Sequence, residues 1–152
     1  MALPPFTTLV EEHRGAVWGY LCAMAGPASA PDLLQDTLLS ALRAYPSLKD
    51  GSNLRSWLLS VAHSRVVDGA RARARRPEVL GDVPERATTH AETDDELWQA
   101  VAALPDKQRH AVVLRFVGDL PYAEIGALCE TSEAAARQNV RAGVMRLREE
   151  LS

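Results

Sequence analysis

The stretch LPYAEIGALCETSEAAARQNVRAGVMRLREEL, residues 120–151, decides how this chain is read. Tyr122, Ile125 and Leu128 recur at three-residue steps, the spacing that gathers apolar side chains on one face of a short helix. Cys129-Glu130-Thr131 makes a tight connection, and Ser132 stands where a hydroxyl caps the following helix. Projecting Ser132 to Leu151 at about 100 degrees per residue puts Ala136, Val140, Val144, Leu147 and Leu151 on the buried face. Arg137, Gln138 and Arg141 then point outward in the N-terminal half of that helix. Two helices joined this way form a helix-turn-helix, whose second helix enters the major groove of DNA, and these side chains are donors suited to base edges and phosphates. An αα-hairpin in any helical bundle presents the same pattern, so this segment alone leaves both readings open.

The rest of the 152-residue chain also points to an all-α protein. Ala, Leu and Arg are the commonest residues, all good helix formers, and few stretches alternate apolar with polar residues. The periodicity predicts a first helix over Phe6–Ala25, with Leu9, Val10, His13, Val17, Tyr20, Leu21 and Met24 on its apolar face, stopping at Gly26-Pro27. A second opens at Ser29-Ala30-Pro31 and carries Leu33, Leu34, Leu38, Leu39 and Leu42 to about Tyr45. Ser52 is the expected cap of a third, Asn53 to about Ala74, with Leu54, Trp57, Leu58, Val61, Ala62 and Val66 toward a core. Pro77, Gly81 and Pro84 interrupt the pattern, so residues 77–93 read as a flexible acidic linker. Four further helices follow, Asp94–Leu104, Asp106–Val117, Pro121–Cys129 and Glu133–Leu151. Each half is small enough to be marginal alone, which implies stabilising partners.

A formal net charge of minus 3 argues at first against a polyanionic partner. The average hides its distribution: net charge is minus 2 over residues 1–52, plus 5 over 53–76, minus 6 over 77–100 and zero over 101–152. Arg137, Arg141, Arg146 and Arg148 also fall in a run without one acidic residue. Localised anion-binding surfaces flanking an acidic connector fit this layout, as do arginines that merely solvate helix faces. No apolar run is long enough to span a bilayer and no signal peptide is legible, so no membrane insertion and a cytoplasmic address are expected. Cys22 and Cys129 read as reduced thiols.

Enzymatic chemistry finds no support. His13, His63, His90 and His110 lack metal-ligand spacing, and neither glycine-rich phosphate loops nor a G-x-S-x-G elbow occurs, so no metal or cofactor is expected.

Several motifs occur together in one order. Leu104-Pro105-Asp106-Lys107-Gln108-Arg109, Leu114-Arg115-Phe116, Leu120-Pro121-Tyr122-Ala123-Glu124-Ile125 and Val144-Met145-Arg146-Leu147-Arg148 resemble region 4 of bacterial sigma factors of the extracytoplasmic-function (ECF) group, sigma-70 family. The resemblance implies a minus-35 promoter contact through Arg137, Gln138, Arg141 and Asn139. Asp32-Leu33-Leu34-Gln35-Asp36 resembles the D-L-x-Q-[D/E] signature of region 2, whose polar members face the clamp helices of the polymerase β′ subunit. Asp32, Gln35 and Asp36 lie three and four residues apart, hence on one helix face. The helix from Asn53 is similar to the family's promoter-melting and minus-ten helix, implying contacts through Ser64, Arg65, Arg71, Arg73, Arg75 and Arg76. Trp57 at this spacing reads as core, and Asp68 as a structural partner of Arg65 or Arg71.

The resemblance therefore implies a region 2-like domain at 1–76, a linker at 77–93 and a region 4-like domain at 94–152. Its implied partners are core RNA polymerase (β′ clamp and β), promoter DNA and an anti-sigma factor. Three positions depart from the family pattern. Ser64 stands where Asn is frequent, which alters or loosens minus-ten preference. Glu130 stands where a turn Gly is common and must adopt a left-handed conformation or reshape the turn. Thr131 replaces the usual turn aliphatic. A stand-alone helix-turn-helix regulator, or a degenerate sigma-like protein that binds polymerase or an anti-sigma factor without initiating, remain the rival readings.

Overall fold

The computed structural model describes residues 3–49, 53–74 and 92–152, with the side chains of 73, 74 and 92–95 outside the description. The expected cap Ser52, Arg75, Arg76 and nearly all of the expected linker lie outside the described residues. The described residues contain helices α1 (Phe6–Ala25), α2 (Ala30–Ala44), α3 (Leu54–Ala74), α4 (Glu92–Ala102), α5 (Asp106–Phe116), α6 (Tyr122–Leu128) and α7 (Glu133–Leu151), and no strand. The chain divides into two compact units, the first ending at Arg86 and the second beginning at Ala87.

In the first unit α1, α2 and α3 pack on one another. Pro31 presets the first turn of α2, where Asp32 complements the helix dipole, and Arg43 does so in the last turn. Pro46 does not stop the chain from coiling: α2 ends at Ala44 and a single 3-10 turn, Tyr45–Ser47, continues it. The side chain of Asn53 accepts from the Ser56 amide at 3.3 Å, so Asn53 caps α3 one residue after the expected Ser52. Leu9, Val17, Tyr20 and Leu21 of α1 meet Leu34, Thr37 and Ala41 of α2 and Leu58, Leu59, Ala62 and Val66 of α3 in the core. Val10, His13 and Met24, expected on the inner face, are only half-buried, as are Leu54, Trp57 and Val61. Leu39 and Leu42 are exposed at 44% and 51%, a correction to the expected leucine face. Trp57 belongs to an aromatic cluster: Tyr45 lies between it and Phe6, with ring centroids 6.0 and 5.3 Å away, and the Tyr45 hydroxyl donates to the Pro4 carbonyl.

His13, on α1, carries a pH dependence. Burial first, and then the Arg55 guanidinium, push its imidazole below the ordinary histidine range, against an opposing pull from Glu12. The folded state therefore prefers neutral His13, and its contribution to stability is full above the unfolded value of about 6.5 and shrinks as pH falls below it. Thermal melting followed from pH 7.5 to 5 is expected to show falling stability that His13→Gln flattens; an unchanged slope in the variant removes His13 as the cause.

In the second unit α7 packs against α4, α5 and α6. Val101, Leu104, Val112, Val113, Leu114, Leu120 and Ile125 are buried with Ala136 and Val140 of α7. Arg109 closes the α4–α5 corner, donating to the Ala102 carbonyl at 3.1 Å and pairing with Asp106 at 2.7 Å. Val144 and Leu147 are half-buried, and Leu151 is 45% exposed, so the expected inner face of α7 fades toward its C-terminal end. Gly143 joins that face instead: a Cβ there would sit 2.5 Å from Val112 Cγ2, so α7 and α5 approach as closely as they do because position 143 has no side chain.

Candidate functional site

Three exposed faces bring the sequence-predicted site residues together, two on the first unit and one on the second. On α2, Asp32, Gln35 and Asp36 are all exposed, with Leu34 and Thr37 buried behind them. Two depressions flank this ridge. One, about 320 Å³, is lined by Phe6, Pro31, Leu34, Gln35, Leu38, Leu39 and Leu42. The other, about 250 Å³, is walled by Ser29, Asp32 and Leu33 on one side and Val66 and Gly69 of α3 on the other. The face thus pairs carboxylates with apolar surface, a combination suited to a helical partner with basic and apolar side chains. Sequence reading missed the apolar half because exposed leucines recur at the same spacing as core leucines.

On α3, Ser64 and Arg71 are exposed and seven residues apart, so they share a face. Arg65 is half-buried and bound to Asp68 at 2.6 Å, the pairing expected for Asp68. One of the basic residues assigned to this helix is therefore neutralised locally. His63, beside Ser64, hydrogen-bonds through Nδ1 with the Tyr20 hydroxyl at 2.9 Å, tying the middle of α3 to buried α1. Arg73 is helical with its side chain outside the description.

On α7, Arg137, Gln138 and Arg141 are exposed and Asn139 is half-buried. Ser132 caps the helix as expected, its hydroxyl accepting from the Ala135 amide at 2.9 Å. The turn before it takes the first of the two routes open to Glu130: φ is +57°, in the left-handed region. A non-glycine residue there costs about 1 kcal/mol. Thr131 N donates to Gly126 O at 2.8 Å, and a Cβ on Gly126 would meet Ser132 and Thr131 backbone atoms at 3.0 Å. The small residue at 126 lets the chain return tightly enough to set the angle of α7.

Two residues outside the expected site sit against this face. The Arg115 and Arg137 guanidinium carbons lie 4.4 and 4.9 Å from the centroid of the Tyr122 ring. Tyr122 was expected simply to line an apolar helix face, and no local spacing signals that arginines from two other helices converge on it.

Comparison with known proteins decides what these faces belong to. Residues 9–76 match the family described as Sigma-70 region 2, and residues 94–147 match Sigma-70, region 4. The ECF RNA polymerase sigma factor SigC of Mycobacterium tuberculosis is 32% identical over 139 residues, covering 86% of this chain and 75% of SigC. The RNA polymerase sigma factor CarQ of Myxococcus xanthus is 32% identical over 153 residues, covering 95% of this chain and 87% of CarQ. The chain belongs to the ECF group of the sigma-70 family. It is a sigma factor that binds core RNA polymerase and directs promoter recognition. Among solved structures, the sigma factor RpoE of Bartonella quintana, crystallised with the anti-sigma factor NepR, superposes with a TM-score of 0.80 at 22% identity over 96% of both chains. That likeness establishes the two-domain helical fold. This sigma factor carries no metal-binding cluster and no helix long and apolar enough to cross a membrane among its described residues. Its cysteines are free thiols, and burial pushes both up, away from the thiolate.

Proposed function

We propose that the two units divide the work of initiation. The first grips the β′ clamp through Asp32, Gln35 and Asp36 and receives the melted minus-ten strand along Ser64, Arg65, Arg71 and Arg73, with Arg75 and Arg76 following in sequence. The second lays α7 in the major groove at the minus-35 element, where Arg137, Gln138 and Arg141 reach base edges and phosphates, with Asn139 at the margin. One observation carries this reading: α2 and α7 each bury one face in their own unit and leave outward the polar residues suited to a protein partner and to DNA, respectively. Contacts made by both units at once multiply through effective concentration, so neither has to bind tightly alone. The factor works in the cytoplasm without catalysing a reaction. The neighbour solved with an anti-sigma factor supports an anti-sigma partner for this chain too, one that masks these faces until released.

A stand-alone regulator accounts for α6 and α7 but leaves region 2 without a purpose. In vitro transcription with purified core polymerase over a promoter library tests the proposal: promoter-specific initiation is expected, and no polymerase association removes it. Polymerase binding without initiation on any member establishes the degenerate reading instead. Arg141→Ala is expected to weaken promoter binding by about 1 to 3 kcal/mol while leaving polymerase association intact. Equal loss of both activities indicates misfolding, and loss of neither removes Arg141 from the groove.

A further inference from the structure

We propose that Tyr122 is a positioning residue for the minus-35 contact, its ring holding Arg137 at the DNA-facing edge of α7 with Arg115 fixing the ring from α5. This inference rests on the reading of Arg137 as a DNA contact. Three elements meet at one half-buried aromatic: Tyr122 opens α6, Arg115 lies in the last turn of α5, and Arg137 lies near the start of α7. Both guanidinium carbons are within the distance at which a cation is attracted to a ring face, 4.4 Å for Arg115 and 4.9 Å for Arg137. Arg115 is itself anchored, since its Nη1 donates to the Leu120 carbonyl at 3.1 Å in the α5–α6 connection. The ring therefore sits against a fixed cation on one side of the motif and offers its π system to a second cation from the recognition helix.

Arg137 is exposed and long, and left alone it would sample many rotamers, each of which binding must then exclude. Two contacts limit it: the Tyr122 ring and Glu133, whose Oε1 lies 3.3 Å from Arg137 Nη2 one turn back on the same helix. These contacts differ in what DNA does to them. A base edge or phosphate competes directly with the Glu133 carboxylate for the same N–H donors, whereas a ring facing the guanidinium leaves its in-plane donors available. Tyr122 is thus the contact that survives the exchange of carboxylate for DNA and keeps the arginine in place while its donors change partner.

The test uses the full chain assembled with core polymerase. It measures the ratio of affinities for a promoter selected by the wild-type holoenzyme and for the same duplex with its minus-35 element scrambled. Tyr122→Phe, Tyr122→Met, Arg137→Ala and the Tyr122→Met/Arg137→Ala double variant are compared. Arg137→Ala is expected to reduce the ratio by about 5-fold or more. Tyr122→Met is expected to reduce it by about 3- to 10-fold and Tyr122→Phe to stay near wild type, because the ring rather than the hydroxyl holds the cation. The double variant is expected to be no worse than Arg137→Ala alone, since Tyr122 acts through Arg137. A ratio unchanged in Arg137→Ala removes Arg137 from the DNA interface and takes the inference with it. A fall in Arg137→Ala with none in Tyr122→Met overturns the inference alone, as does an additive loss in the double variant or a Tyr122→Phe as impaired as Tyr122→Met. Should Tyr122→Met melt early, phenylalanines of increasing fluorination at 122 keep the shape while draining the ring face. A stepwise fall in the ratio is expected, and a flat response overturns the inference.

Discussion

Replacing Asp36 with Arg is expected to abolish capture of core RNA polymerase while the promoter-reading unit keeps its affinity for minus-35 duplex. Asp36 is exposed on α2, four residues from Asp32 and adjacent to Gln35, and forms no ion pair among the described residues, so reversing its charge costs little in folding. At a docked interface the same change acts twice. It removes an attractive partner for a basic clamp side chain and sets like charges against each other, a juxtaposition that costs several kcal/mol. Loss of about 3 kcal/mol is more than a hundredfold in affinity, enough to empty a pull-down. Asp36→Asn, which deletes charge without repulsion, is expected to weaken capture less. Far-UV circular dichroism checks that α2 is intact. Retained capture by a folded Asp36→Arg variant removes the clamp assignment, and the apolar depression lined by Leu38, Leu39 and Leu42 then becomes the face to mutate.

The particular residues show why some of this was legible from sequence and some was not. Helix positions follow from local rules: Ser132 caps α7 because a hydroxyl precedes an apolar-periodic run, and the oddity of Glu130 in a turn translated directly into its positive φ. The ridge of Asp32, Gln35 and Asp36 is equally local, a matter of three- and four-residue spacing. What periodicity cannot tell is which leucines of a wide apolar stripe another helix covers. Leu34 is buried and Leu42 half-exposed although both fit the pattern, because burial depends on where α1 and α3 end up. Leu151 fails for the same reason, lying at the end of α7. The Arg115–Tyr122–Arg137 meeting has no sequence signature at all, since it exists only once α5, α6 and α7 have packed. Charge behaves likewise: the plus 5 of residues 53–76 overstates the cation available to DNA, because Asp68 already engages Arg65.

Gly143→Val is the change expected to separate the two units most cleanly. The first added atom, Cβ, would lie 2.5 Å from Val112 Cγ2 and 3.5 Å from Gln108 Cβ, and Val112 is buried and β-branched, so it has little rotamer freedom with which to yield. Overpacking of this kind costs about 1 to 3 kcal/mol per site, and the two further methyl carbons of valine push it toward or beyond the upper end. Leaving glycine returns part of that through helix propensity, yet valine is a weaker helix former than alanine and recovers well under 1 kcal/mol. A domain of about 60 residues has on the order of 3 to 9 kcal/mol of stability, so the loss lowers its melting temperature by on the order of 10 °C or more. Gly143→Ala is the milder companion, with the same first clash but the full propensity gain. Because α7 carries Arg137, Gln138 and Arg141, Gly143→Val is expected to abolish minus-35 binding near the new melting point while Asp36-dependent polymerase capture persists. Loss of polymerase capture in parallel would mean that the two units do not fold independently. Unchanged melting would mean that α5 and α7 separate without cost, and that the close approach at Gly143 contributes nothing to the angle at which the recognition helix is held.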